Sequence, residues 1–326
     1  MTRKLVVEEK NWRLHKPFKI SRDVHEFSET VTCEISEDGL CGRGEAAGVS
    51  YDGETQHSIR VDIEAVAAEI EGGISRQDLQ ELLPPGGARN AVDCALWDLE
   101  AKKAGKTIWQ LIDLEPRPVT TVYTVGIDDA PKMEADAARH SSYPFLKVKV
   151  GIGDPVEQIQ AINRGAPGAA IVIDANQAWS IEELERYAEP LKALGVEMIE
   201  QPLDRSKDEA LRGYDAPLPI CADESCATSA DLERLQGLYS MVNVKLDKTG
   251  GLTEALKLAR EARSMNFELM VGNMLGSSLA MAPAFVIAQY CRYVDIDGPL
   301  LQAEDCDNAM RYDNGRVAVF TPDLWG

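Results

Sequence analysis

Two lysines stand two residues apart, Lys147 and Lys149, in the apolar run Phe145-Leu146-Lys147-Val148-Lys149-Val150-Gly151. In a strand, alternation points both to one face. Side-by-side ammonium groups in a buried strand are costly unless something uses them, whereas an edge strand lets both snorkel to water. Burial and a like charge each lower a lysine pKa. A lysine tuned that way takes or gives a proton near neutral pH. Charged residues then recur at the ends of later apolar runs: Asp174 in Ile173-Asp174-Ala175-Asn176, Glu200 in Ile199-Glu200-Gln201-Pro202, and Asp223 in Ala222-Asp223-Glu224-Ser225. Lys245 follows in Val244-Lys245-Leu246-Asp247-Lys248, and Asp295 and Asp297 in Asp295-Ile296-Asp297.

Any one of these carboxylates could be a helix N-cap. Three at equivalent positions, flanked by lysines, are hard to explain as caps. Bare, they repel; with a hard divalent cation they make an oxygen cage with open positions. Magnesium suits such a site, because water and substrate complete its octahedron. Lys149 and Lys245 are then expected on opposite walls. A substrate carboxylate on the ion would place its α-carbon between them. One lysine removes the α-proton, the ion stabilises the enediolate as a Lewis acid, and the other lysine returns a proton on the opposite face. That is racemisation or epimerisation.

The elements that must position these groups follow from the pattern. Residues 4 to 46 read as antiparallel strands, with Val31–Ile35 alternating and a turn at Glu37-Asp38-Gly39. Ile59, Ile63, Val66, Ala67 and Ile70 recur at helical spacing up to Gly72-Gly73. After the break at Pro84-Pro85-Gly86-Gly87, Ala88–Lys102 reads as a helix with Val92, Ala95, Leu96 and Leu99 on one apolar face. Residues 1–115 thus read as an α+β domain. Past Pro116, eight β-rich runs alternate with amphipathic helices: Val119–Val125, Phe145–Val150, Ala170–Asp174, Val196–Glu200, Leu218–Asp223, Met241–Leu246, Leu269–Gly272 and Tyr293–Asp297. Asp154-Pro155 and the Ser180/Glu183 capping box mark helix starts. Such a series closes into a (β/α)₈-type barrel more readily than an open sheet. A doubly wound sheet is the alternative, weakened by the lack of a glycine-rich phosphate loop. In a barrel the strand ends converge at the C-terminal rim, where catalytic groups gather.

Composition narrows the class. At 326 residues, 44% hydrophobic and 27% charged, the chain is an ordinary globular one. A formal charge of −20 speaks against nucleic acid and anionic membrane surfaces as partners. The N-terminus lacks a signal-peptide pattern, and no run has transmembrane length. Seven cysteines without framework spacing fit reduced thiols in a cytoplasm.

The chain resembles the enolase superfamily, muconate lactonising subgroup, and within it the dipeptide epimerases of the L-Ala-D/L-Glu type. The resemblance is carried by Ala88–Lys102, Lys147-Val148-Lys149, Asp174-Ala175-Asn176, Ile199-Glu200-Gln201-Pro202, Cys221–Ser225, Asn243–Gly251 and Asp295-Ile296-Asp297-Gly298-Pro299. It implies a modified TIM barrel, (β/α)₇β, spanning 116–299, under an α+β capping domain formed from 1–115 and a returning tail, 300–326. It implies Lys149 and Lys245 as the acid/base pair, Lys147 as electrostatic assistant, and Asp174, Glu200 and Asp223 as Mg²⁺ ligands. Asp295 and Asp297 are implied to hold the dipeptide's ammonium, which suits two carboxylates at one rim position. Arg22, in Ile20-Ser21-Arg22, is implied to pair with the substrate's acidic side chain. The Gly44–Glu54 loop, with Tyr51, and the Gly272–Ser278 segment, with Asn273 and Met274, are implied to line the specificity pocket. Both depart from close relatives, as does Asp23 after Arg22, so the side-chain preference stays open. The partner implied is a small-molecule dipeptide, in the setting of cell-wall murein peptide recycling, and a homo-oligomer is left open. The rivals are another α-proton reaction of the superfamily, o-succinylbenzoate synthesis or cycloisomerisation, whose substrates lack an ammonium, and a non-catalytic barrel that binds an acidic peptide.

Overall fold

The computed structural model describes residues 3–19 and 24–326. Strands β1 (Lys4–Lys19), β2 (Val24–Glu37) and β3 (Leu40–Ala47) form an antiparallel sheet in that order. Asp38 and Gly39 both take positive φ, 53° and 82°, and bring Glu37 opposite Leu40. That is the tight hairpin an Asp-Gly pair favours. Val31, Cys33 and Ile35 point from β2 into a core shared with Ile59, Ile63 and Ile70. The helical series through Ile70 is two helices, Gln56–Ala65 and Ala67–Glu71, because Val66 leaves helical geometry at φ −111° and ψ 18°.

The helix Gly87–Ala104 lies across this sheet, but both its faces are buried. On one side it touches β3 so closely that a Cβ on Gly44 would fall 2.1 Å from the Ala91 carbonyl oxygen. Only glycine allows that approach. On the other side its polar residues bond to the barrel. Asp93 accepts from the Thr253 N–H at 2.9 Å and hydroxyl at 2.6 Å, and Arg89 donates to the Thr249 carbonyl at 2.7 Å. The expectation was one apolar face, carried by Val92, Ala95, Leu96 and Leu99, and the structure buries the polar residues Arg89, Asn90, Asp93 and Asp98 as well. Arg89 and Asp93 are satisfied by those barrel partners, which is how buried polar groups persist.

Next come β4 (Val119–Thr120), β5 (Tyr123–Val125), β6 (Phe145–Lys149), β7 (Ala170–Asp174), β8 (Val196–Glu200), β9 (Ile220–Ala222), β10 (Met241–Lys245), β11 (Glu268–Gly272) and β12 (Tyr293–Val294). Strands β5 to β12 make one parallel sheet in sequential order. It curls round until the Val122 N–H donates to the Val294 carbonyl at 2.8 Å. Crossovers include the helices Ala130–Arg139, Pro155–Gly165, Ile181–Ala193, Leu252–Ser264 and Ser278–Ala288; those after β8 and β9 are short. This is the modified TIM barrel expected. Asp154 caps Val156, and Ser180 and Glu183 form the capping box.

Two expected strands differ. Val119–Val125 is split, because β4 leaves the barrel to pair with β14 (Arg316–Val317), itself paired with β13 (Tyr312–Asp313). Regular pairing in the last strand stops at Val294, and Asp297 stands at the N-cap position of the helix Gly298–Leu301 without a side-chain capping bond. The C-terminal residues reach the cap: Trp325 Nε1 donates to the Cys94 carbonyl at 3.0 Å, and the Gly326 N–H to Asp98 Oδ1 at 2.7 Å. Phe320 packs both on Trp109, within residues 1–115, and on Phe285 of a barrel helix. Among the described residues no helix is long and apolar enough to cross a membrane.

Candidate active site

Period-two alternation sorts the barrel interior into two levels. Val172, Met198, Cys221, Met241, Met270 and Tyr293 form an apolar floor, with Phe145 packed against it. Two residues further along their strands, Val172, Met198 and Cys221 give way to Asp174, Glu200 and Asp223. Lys149 pairs in register with Asp174, and Lys245 stands at the end of β10, four residues past the floor residue Met241. Each buried apolar floor residue contributes roughly 1.5–3 kcal/mol. That stability supports a rim of buried charge.

Asp174, Glu200 and Asp223 are fully buried, and one oxygen of each lies within 4.8 Å of the others. Lysines close the row at both ends. Lys149 Nζ donates to Asp174 Oδ2 at 2.6 Å, and Lys245 Nζ to Asp223 Oδ2 at 2.7 Å. Lys147 Nζ sits between Glu200 Oε2 at 2.7 Å, Asp295 Oδ2 at 2.8 Å and Asp174 Oδ2 at 3.2 Å. Lys248 Nζ donates to Asp223 Oδ1 at 2.7 Å and to the Asp223 and Asn243 carbonyls. These contacts reverse one expectation. Burial alone would lower Lys147, but Asp295, Glu200 and Asp174 outweigh it and hold it well above the usual lysine range. Lys245 is raised in the same way, against burial, chiefly by Asp223. Burial and then the Asp174 charge push Glu200 up to about 7. Asp223 is lowered, since Lys245 and Lys248 overcome its burial.

Short backbone devices hold this row. Gln201 follows Glu200 at φ 34°. Its N–H donates to the Cys221 carbonyl at 2.9 Å, and its own carbonyl accepts from Gln177 at 2.8 Å. Its side-chain Oε1 accepts from the Asp223 N–H at 2.9 Å and the Ser225 N–H at 3.1 Å. One residue therefore ties together the ends of β7, β8 and β9. On β11, a Cβ at Gly272 would lie 2.9 Å from Lys245 Cε, so glycine there leaves room for the lysine.

Across the mouth, Asp295 Oδ1 accepts from Asn273 Nδ2 at 3.2 Å, and Asp297 Oδ2 from the Thr124 N–H at 2.7 Å. A cavity of about 460 Å³ opens above the row. Of the expected site residues it brings together Lys147, Lys149, Lys245, Asp223, Asp295, Asp297, Tyr51, Asn273 and Met274. Asp174 and Glu200 lie beneath it, in contact with the lysines. Arg22 lies outside the described residues.

Sequence reasoning passed over four residues. Asn176 lines the cavity at φ 45°, 6% exposed, with no hydrogen-bond partner for its Oδ1. Its place two residues after Asp174 was the available signal. Lys248, three residues past Lys245, and Gln201, next to Glu200, were legible in the same way. Thr124 acts through its backbone and left no signal.

Two family models match the chain: "Mandelate racemase / muconate lactonizing enzyme, N-terminal domain" over residues 2–113 and "Enolase C-terminal domain-like" over 132–326. The chain is 41% identical to the L-Ala-D/L-Glu epimerase of Escherichia coli, covering 97% of this chain and 99% of that one. It is 44% identical to the N-acetyl-D-glutamate racemase of a Pseudoalteromonas species, over 77% of this chain and 81% of that one. The crystal structure of an enolase family member from Agrobacterium tumefaciens with homology to dipeptide epimerases, with bound sodium and L-Ala-L-Glu, superposes with a TM-score of 0.97 at 42% identity, covering 99% of this chain and 100% of that one. With its row of buried carboxylates on successive barrel strands and a lysine at each end, the chain belongs to the mandelate racemase / muconate lactonizing enzyme family.

Proposed function

We propose that the protein is an isomerase that epimerises the C-terminal residue of a dipeptide of the L-Ala-D/L-Glu kind, by proton transfer between two bases. The observation that carries this is the placing of Lys149 and Lys245 at the two ends of one carboxylate row under one cavity. An α-carbon held over the row has an amine on either side. Lys149 removes the proton from one epimer and Lys245 delivers one to the other face; the roles exchange in reverse. Lys147 stays within the carboxylates and offsets their charge.

Asp174, Glu200 and Asp223 would hold Mg²⁺. The fit rests on three buried carboxylates with ligand oxygens close together, a donor set that suits a hard divalent cation. When bound, the ion supplies Lewis-acid stabilisation of the substrate carboxylate and takes up carboxylate charge that otherwise raises the lysines. Asp295 and Asp297 receive the dipeptide's ammonium, and Tyr51, Asn273 and Met274 line the pocket for its side chains. Arg22 is proposed for the acidic side chain. Residues 1–115 with 300–326 form the cap of this division, and 116–299 the barrel. The seven free cysteines among the described residues fit a reaction in the cytoplasm.

A second reading, racemisation of an N-acylated glutamate, is favoured by one contact: Asp295 is already paired with Lys147, so the ammonium pocket is less anionic than two carboxylates suggest. Heavy-water exchange tests both. With Mg²⁺ present, L-Ala-L-Glu should exchange its glutamate α-hydrogen and form the L-Ala-D-Glu epimer faster than N-acetyl-L-glutamate exchanges. The reverse order supports the second reading; no exchange with either removes both.

A further inference from the structure

Asp295 and Asp297 are buried, and their carboxyl groups meet in a hydrogen-bonding contact. Two ionised carboxylates in such a contact repel; the contact needs a proton between them. Asp295 is engaged on both oxygens, by Lys147 at 2.8 Å and Asn273 at 3.2 Å. Its charge is spoken for within the protein. Asp297 accepts the Thr124 N–H, and among the described residues no lysine or arginine forms an ion pair with it. The other titratable groups around it are the tyrosines Tyr123 of β5, Tyr143 ahead of β6, and Tyr312 of β13. Lys147 and Lys149 act from β6 on Asp295. Burial, and then the Asp295 carboxylate, push Asp297 up to about 8, while Lys147 overcomes burial and keeps Asp295 low.

Building on the reading that this pair receives the dipeptide's amino terminus, we propose that Asp295 and Asp297 share one proton in the free enzyme and surrender it when a substrate ammonium takes its place. The proton leaves to solvent and the ammonium's charge replaces it, so the pocket's net charge is kept. A neutral group at the same position, a hydroxyl or an acylated amine, is held with the proton retained on Asp297. The pair thereby accepts either kind of terminus, and pH sets the preference. Below the titration of Asp297, each pH unit gained should improve affinity for an ammonium terminus up to tenfold. It should leave the neutral one unimproved. Above pH 8 the substrate's own α-amino group begins to lose its charge, as free α-amino groups do.

The test is calorimetry of the Mg²⁺-loaded protein at pH 6.5, in buffers of different ionisation heat, with L-Ala-L-Glu and with L-lactoyl-L-glutamate. The second ligand replaces only the ammonium with a hydroxyl. Proton changes at the lysines are common to both and cancel in the difference. The expected result is that L-Ala-L-Glu releases about one proton more than the lactoyl analogue, and that Asp297→Asn abolishes the difference. Equal release by the two ligands overturns the inference. Should Asp297→Asn fail to fold, the comparison in the unaltered protein decides alone. Failure of L-Ala-L-Glu to bind at all refutes the dipeptide reading itself, a different outcome from binding without the extra proton.

Discussion

Asp52 and Arg205 meet at 2.6 Å, one from the turn that carries Tyr51, the other from the loop behind Glu200. The turn is held from its other side by Glu54, which accepts the Val49 N–H at 2.9 Å and the Gly87 N–H at 2.8 Å. Tyr51, which lines the cavity, is thus held between a half-buried anchor and a solvent-exposed pair. Exposed pairs contribute about 0.2–1 kcal/mol. Arg205→Ala should therefore raise KM for the dipeptide up to about fivefold and leave kcat within twofold, read by steady-state kinetics. A fall in kcat without a change in KM would place the pair elsewhere in the cycle.

The two lysines at the ends of the carboxylate row should fail differently. Lys149→Ala and Lys245→Ala should each lower epimerisation by about 10²–10⁴-fold or more. Each should retain α-hydrogen exchange in heavy water from one epimer and lose it from the other, because one base still faces one side of the α-carbon. NMR of the two dipeptide epimers reads this directly. Loss of exchange from both epimers in both variants would contradict the division of labour.

Gln201 is fully buried and does not line the cavity, yet it bonds to the segments bearing all three candidate ligands. Partners of metal ligands typically account for about 10–100-fold in metal affinity. Gln201→Met keeps the volume and removes the hydrogen bonds. Titration with Mg²⁺ alone, followed by calorimetry, should show affinity reduced by that factor with an unchanged circular dichroism spectrum. Unaltered affinity would reduce Gln201 to packing.

Asp247 supplies a pH dependence. Burial pushes it up to about 7 from an ordinary 3.8, while its Oδ1 accepts the Ala47 N–H and Asn90 Nδ2. The folded chain then holds a proton that the unfolded chain has lost. Stability from this group is greatest below the ordinary carboxylate range, falls as pH rises to about 7, and is flat beyond. Asp247→Asn keeps the acceptor and removes the ionisation. Its advantage in chemical denaturation should grow across that window to at most about 4 kcal/mol. A constant difference between pH 4 and pH 8 would rule out the titration.

The barrel and its charged rim were legible because a parallel strand buried on both faces reads as an apolar run, and a charge at its end stands out. Asp174, Glu200, Asp223 and Lys245 are such charges. The helix Gly87–Ala104 was legible as a helix but not as a double-sided one, since Arg89 and Asp93 look like surface residues until the barrel supplies their partners. The split at Thr121 was hidden: Val119 to Val125 is one β-rich run in sequence, and only the tail strand, almost two hundred residues away, draws β4 aside. The raised lysines were hidden as well. Local sequence shows Lys147 beside Lys149, a like charge, while the carboxylates that reverse the sign come from β7, β8 and the segment after β12.

The bond from Gly326 to Asp98 joins residues 228 positions apart, and Trp325 reaches Cys94 across a comparable interval. During vectorial synthesis the cap's helix leaves the ribosome early, but its last partners emerge only after every stave of the barrel. An earlier-made part of the molecule is consequently completed late, and a nascent cap must wait, part-covered, for the barrel strands to be translated.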